Sequence, residues 1–180
     1  NIHGNDYNGK KIRYVTQKKQ EGLVHAIECS SFALAGEDFM LMLADELLVN
    51  PNHTRMVGLF KSQALFAVCG VLEVDNRELI KKTYSIIQSE DAKIYRLIEK
   101  PDRPFGNIMG TGNCIFRNDI LSYISKTPIN QKRKQKELPD LIQCAIDDGF
   151  IVKSSVICSK YINVNSPDEL QEANSCFSHF

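Results

Sequence analysis

The chain has 180 residues, 43% of them hydrophobic, and its 22 basic and 22 acidic side chains balance. That length suits a single domain over residues 1–180, able to bury about 70% of the surface its unfolded form exposes. The charge balance argues against a nucleic-acid binder and against an acidic disordered tail. The longest apolar run, residues 64–72, falls far short of the roughly 20 residues that cross a bilayer, so neither nucleic acid nor membrane is an expected partner.

Residues 11–16 alternate and are rich in β-formers, which predicts a short strand. Leu23, Ala26 and Ile27 recur at helical spacing, which predicts a helix entered at Gly22. Residues 39–44 are continuously apolar and stop at Asp45, the pattern of a strand buried on both faces. A short helix over 53–62 leads to a second buried strand over 64–74. Residues 84–88 and 95–99 read as a hairpin through the polar turn 89–92, and 101–107 as a loop bearing Pro and Gly. A strand over 110–116, a short helix over 119–125 and a basic surface run over 131–136 follow. Leu138, Leu141, Ile142 and Ala145 fall at i, i+3, i+4 and i+7, an amphipathic helix that ends at Gly149. Residues 150–158 read as a strand. Ser166 and Pro167 then supply the N-cap and first position of a last helix, which runs to about Ser175. Strands alternating with helices predict an α/β fold with a largely parallel sheet and an antiparallel insertion near 84–99.

The cysteines, at 29, 69, 114, 144, 158 and 176, are widely separated, with no C-x-x-C pair. Cys69, Cys114 and Cys144 sit in apolar stretches, so the set reads as reduced thiols in a cytoplasmic protein. His3, His25, His53 and His179 stand at no metal-ligand spacing with them. Residues 1–9 are polar and lack the apolar stretch of a signal peptide.

Asp45 is the most informative residue. A carboxylate directly after a buried strand lies where open α/β sheets bind ligands, and it suits Mg²⁺ bridging phosphate oxygens. The plainer reading is an aspartate that caps the following turn. Glu99-Lys100-Pro101 closes another strand. The lysine there could meet a phosphate and the glutamate a sugar hydroxyl, or the two could form an ordinary surface ion pair. Gln17 offers a carboxamide to a pyrimidine edge or to solvent. The basic run around Arg133 is a solvated face or a phosphate contact.

These pieces occur in an order that resembles sugar-1-phosphate nucleotidyltransferases. The segment from Gln17 to Gly22, continuing through Leu23-Val24-His25-Ala26-Ile27, resembles the family's base-binding segment. Leu41-Met42-Leu43-Ala44-Asp45-Glu46 resembles the strand ending in its Mg²⁺-binding aspartate. That form, with Glu73-Val74 ahead of Tyr84-Ser85-Ile86-Ile87, is most similar to UTP–glucose-1-phosphate uridylyltransferases, with glucose-1-phosphate thymidylyltransferases next. Ile98-Glu99-Lys100-Pro101 resembles the sugar-phosphate motif and Thr111-Gly112 the strand after it. The stretch from Tyr161 to Leu170 resembles the closing motif.

The resemblance implies a Rossmann-like mixed, mostly parallel sheet with helices on both faces. It also implies nucleotidyl transfer from UTP or dTTP to a sugar 1-phosphate, glucose 1-phosphate first, with release of pyrophosphate. By the resemblance Asp45 and Asn163 hold Mg²⁺, and Gln17, Gly22 and Asp45 take the nucleotide. Lys100 and Arg133 meet the sugar phosphate, and Tyr84, Glu99 and Gly112 the sugar, with Asp45 and Lys100 as the catalytic pair.

The departures are also specific. The family's Gly-rich loop, whose backbone N–H groups cradle the triphosphate, has no match here, so the N-terminal strand–loop–helix that carries it is expected to be absent from these residues. Asn163 stands where many members carry a second aspartate, Gln135 where a sugar-contacting glutamate is usual, and Ser85 where a glycine follows the tyrosine. The parent protein is therefore expected to be an enzyme and the 180-residue chain alone to be inactive. The alternative is a truncated or degenerate, non-catalytic sugar-nucleotide-binding or assembly domain. An unpaired edge on the 39–44 strand further predicts a homo-oligomer.

Overall fold

The computed structural model describes residues 4–177. A small hairpin of β1 (Asp6–Tyr7) and β2 (Lys10–Lys11) precedes helix α1 (Leu23–Leu34), strands β3 (Phe39–Leu41) and β4 (Glu46–Val49), and helix α2 (His53–Ser62). Then come β5 (Ala67–Glu73), a 3-10 segment at Arg77–Lys82, β6 (Tyr84–Gln88), β7 (Ile94–Glu99) and β8 (Ile108–Phe116). A second 3-10 segment at Asn118–Tyr123 leads to β9 (Ile129–Asn130), β10 (Gln135–Lys136) and α3 (Leu138–Asp147). The described chain closes with β11 (Val152–Val156), β12 (Lys160–Asn163) and α4 (Pro167–Phe177).

β8 is buried from Met109 onward and organises the main sheet, in the order β11-β5-β8-β6-β7. β5 covers one edge of β8. The other edge is shared: β3 pairs with Cys114–Phe116 and β6 with Met109 and Gly110. Between them, at Thr111–Asn113, that edge carries no strand among the described residues. Side chains alternate across the sheet, as a two-residue period requires. Ala67, Cys69 and Val71 pack with Val24, Leu141 and Ile142 on one face, and Val68 packs with Met56 and Phe60 on the other.

The expected α/β class with a mixed sheet and helices on both faces holds. The expected dominance of parallel pairing does not. β3, β5, β6 and β11 run one way, but reversed β8 lies between them, so β11–β5 is the parallel pair and the other pairings of this sheet are antiparallel. Helices cover both faces, so antiparallel strands here are as continuously apolar as parallel ones, and burial carries no sign of direction.

Other expectations shift locally. Residues 12–16 form no strand, since no described strand lies beside them to pair with. β3 is three residues long and only half-buried, with Met42 exposed, because it has a strand partner on one edge alone among the described residues. The 119–125 helix is a 3-10 turn, and the 131–136 run is the tip and return of the β9–β10 hairpin. β4 and β12, which no sequence pattern marked, pair antiparallel as a second small sheet. Helix α1 starts at its predicted entry, α2 and α3 start and stop close to their predicted bounds, and Ser166 Oγ accepts the Glu169 N–H as N-cap. All six cysteines are free, and no helix is long and apolar enough to cross a membrane. His3 and His179 lie outside the described residues.

Candidate active site

A cavity of about 670 Å³ opens over the bare stretch of β8, between the end of β3 and the start of β6. Its size is in the range of small-molecule sites. Every expected site residue except Gln17 and Gly22 lines it. The β4–β12 pair brings two of them together. Asn163 lies opposite Glu46 in register, and the backbone N–H of Val164 donates to the Asp45 carbonyl at 2.8 Å. The Asp45 carboxylate is on the surface of the cavity, and Asn163 Oδ1 is buried with no hydrogen-bond partner among the described residues. A buried oxygen without a donor is costly unless a ligand supplies the missing interaction. One carboxylate and one amide oxygen fit Mg²⁺, which keeps several waters and takes phosphate oxygens for the rest of its shell.

The basic wall of the cavity is unevenly committed. Lys81 pairs with Glu78 at 2.8 Å and Lys82 with Glu169 at 3.4 Å. Arg133 Nε donates to the buried Glu137 carboxylate, which also accepts Gln135 Nε2 at 3.1 Å. Lys100 makes no ion pair within 4 Å among the described residues. Its backbone sits at φ +40°, a region that L-residues enter at a cost, and is held there by its N–H donating to the Thr83 carbonyl at 2.7 Å. Of the cavity cations it is the one without an ion pair among the described residues. Beside it, burial first and the Glu137 charge second push the Glu99 carboxyl up to about 7, against the pull of Lys100 and Arg133.

Two expected sugar contacts line the cavity with their hydrogen-bond donors already engaged. Tyr84 is buried and donates its hydroxyl to the Thr111 carbonyl at 2.8 Å, so it presents ring and not hydroxyl to the cavity. The Gly112 N–H is also taken: it donates to both oxygens of Glu46, at 2.7 and 2.9 Å. Arg133, expected on the phosphate, has its Nε engaged by Glu137, whereas Lys100 has no such ion pair among the described residues.

Gln17 and Gly22 sit together at the start of α1. Gln17 Nε2 donates to the Gly22 carbonyl at 3.0 Å and contacts His25 Nδ1 at 2.9 Å. The amide nitrogen is thus committed, and the expected donor–acceptor pairing with a base is reduced to the Oε1 acceptor. Gly22, at φ +91°, is in a backbone conformation that disfavours a side chain, and a Cβ there would have to displace the Gln135 side chain at the cavity wall, 2.9 Å away at Cδ. Glu46 and Glu137, both in the cavity lining, were missed from sequence. A glutamate at the entry of an amphipathic helix, as at 137, reads as an ordinary first-turn acid until its burial is seen.

The profile of a family described as nucleotidyl transferase matches residues 2–161. The chain belongs to this family. Its sugar-1-phosphate branch is the one the relatives name. The chain is 30% identical over 173 residues to the UTP–glucose-1-phosphate uridylyltransferase AglF of Haloferax volcanii, covering 95% of itself and 69% of that protein. It is 29% identical over 172 residues to the low-salt glycan biosynthesis nucleotidyltransferase Agl11 of the same organism, again over 95% of itself but only 46% of Agl11. The chain thus spans less than half the length of that relative. Among solved structures, a UDP-glucose pyrophosphorylase complexed with UDP-glucose superposes with a TM-score of 0.80 at 24% identity, over 93% of this chain and 66% of the other. That likeness establishes the shared nucleotidyltransferase fold.

Proposed function

We propose that this chain forms the sugar-phosphate side of a nucleotidyltransferase that joins a pyrimidine nucleotide, from UTP or dTTP, to a sugar 1-phosphate such as glucose 1-phosphate, releasing pyrophosphate. The observation that carries this reading is the meeting, in one cavity, of an uncommitted lysine with an aspartate and a donor-less asparagine oxygen. Lys100 faces the sugar phosphate as a point charge. Asp45 and Asn163 would hold Mg²⁺, which when bound supplies charge neutralisation at the phosphates. Glu99, held near neutrality in its protonation, exchanges hydrogen bonds with sugar hydroxyls as either donor or acceptor. Catalysis on this account is positioning and electrostatics, with no covalent protein intermediate.

The base preference rests on Gln17. With its nitrogen held by Gly22 and His25, its remaining acceptor matches the N3–H of uracil or thymine; cytosine and adenine have no ring N–H at that edge position, and guanine, which has one at N1, is set apart by the size of a purine and not by this oxygen. Thermal-shift competition among UDP-glucose, dTDP-glucose and ADP-glucose tests the reading. The two pyrimidine nucleotide sugars should stabilise the chain and ADP-glucose should not. Equal stabilisation by ADP-glucose would remove Gln17 from base recognition.

A further inference from the structure

Glu46 was chosen by no sequence pattern, yet three donors from β8 and β12 converge on its carboxylate in the cavity wall. Its Oε1 accepts from Gly112 N–H at 2.7 Å and from the Tyr161 hydroxyl at 2.9 Å. Its Oε2 accepts from Gly112 N–H at 2.9 Å and from Asn113 Nδ2 at 2.8 Å. The Gly112 N–H is shared between the two oxygens, so three donors engage both ends of the carboxylate. The same Asn113 contacts His53 Nε2 through its Oδ1 at 3.0 Å, which extends the network to α2.

These bonds fall on the stretch of β8 that lacks a strand neighbour, so the side chain does there what a strand would do. They also fasten β4 to β8 and β12 at one point. Glu46 follows Asp45 directly and lies opposite Asn163 in the β4–β12 register. We propose that Glu46 is the positioning residue of the Asp45–Asn163 pair: it touches no substrate and fixes the separation and direction of the two oxygens. This rests on the reading of that pair as a divalent-cation site. A carboxylate held on both oxygens is rigid in a way a solvated one is not, and supporting groups behind metal ligands typically carry about 10- to 100-fold of metal affinity.

The test uses Mn²⁺ as the probe, titrated into the whole chain and followed by electron paramagnetic resonance, with glucose 1-phosphate affinity and the Gly112 amide resonance measured in parallel. Glu46→Gln keeps the shape but turns an amide N–H₂ toward Asn113 or Tyr161. It should shift the Gly112 amide and weaken Mn²⁺ about tenfold, while glucose 1-phosphate binds as before. If that variant does not fold, Tyr161→Phe removes a single donor and should give a smaller loss of the same kind. Unchanged Mn²⁺ affinity in the folded variant, or an equal loss of Mn²⁺ and glucose 1-phosphate, overturns the positioning role. Asp45→Asn separates the two ideas. If it leaves Mn²⁺ binding intact, or if the parent chain binds no Mn²⁺, the cation site itself fails and the positioning role fails with it.

Discussion

Asp45 is tied by its backbone to Val164, whose N–H reaches the Asp45 carbonyl at 2.8 Å. The bond extends the β4–β12 pair into the turn that carries the aspartate, so a residue early in the chain and one near its end share a wall. The expected consequence is that nucleotide-sugar binding depends on Mg²⁺ through Asp45. In the wild-type chain Mg²⁺ should tighten UDP-glucose by about tenfold, about 1.4 kcal/mol. In Asp45→Asn that gain should vanish with the fold unchanged. Isothermal titration with and without Mg²⁺ measures it, and a persisting Mg²⁺ effect in the variant would contradict the assignment.

Glu99 predicts a pH dependence of stability. Its carboxyl is raised from 4.5 to about 7, chiefly by burial and then by Glu137, against Lys100 and Arg133 and with a smaller push from Asp140. Between those two values the folded chain holds a proton that the unfolded chain has released, so this contribution to stability falls as pH rises across the window. Glu99→Gln removes the titration. The difference in unfolding free energy between wild type and variant should therefore shift against the wild type from pH about 4.5 to about 7 and then level off. Parallel curves would mean that Glu99 titrates like a solvated glutamate.

Gln143 finishes the free edge of β7. Its Oε1 accepts the Leu97 N–H at 3.0 Å, and its Nε2 donates to the Tyr95 carbonyl at 3.3 Å and to Asp147 at 2.7 Å. Gln143→Leu should leave the buried Leu97 N–H without an acceptor and cost about 1–3 kcal/mol. Urea denaturation with an unchanged slope is the measurement. A loss well under half of the lower figure would show that water takes over the bond.

Gly110 is the close approach that lets Tyr84 lie flat beneath the cavity. A Cβ there would sit 2.0 Å from Tyr84 Cε2. Since Tyr84 is buried and bonded to Thr111, it has no free direction in which to retreat. Gly110→Ala should destabilise by about 3 kcal/mol or prevent folding, and Tyr84→Leu in the same chain should recover part of the loss. Near-neutral Gly110→Ala would show that the ring relocates at little cost.

The sequence was most legible where a pattern was long and local. The i, i+3, i+4, i+7 spacing of Leu138, Leu141, Ile142 and Ala145 marked α3, and the run through Cys114 to Phe116 marked β8. Asp45, Lys100 and Asn163 were visible through an ordered set of motifs, and all three line the cavity. What stayed hidden depends on pairings between distant residues. β4 and β12 are four residues each and acquire meaning only against each other. Glu46 looked like a neighbour of Asp45, and its role depends on a gap in strand pairing at Gly112 that no local pattern encodes. The side-chain commitments of Tyr84, Arg133 and Gln17 were equally invisible, because residue type states what a group can bond and not which bond it makes. Gln143 left no trace either, because it lies off the stripe of Leu138, Leu141, Ile142 and Ala145 and is buried against β7 instead.

The most direct test of the account is calorimetric titration of the chain with UDP-glucose, for the wild type and for Lys100→Met. The wild type should bind measurably at a single site. The variant keeps the side chain's length and the strained backbone but loses the one cavity cation without an ion-pair partner among the described residues, so it should bind about 1.5–3 kcal/mol more weakly. Equal affinity in the two proteins, or no binding by the wild type, would contradict the assignment of this cavity to a sugar phosphate.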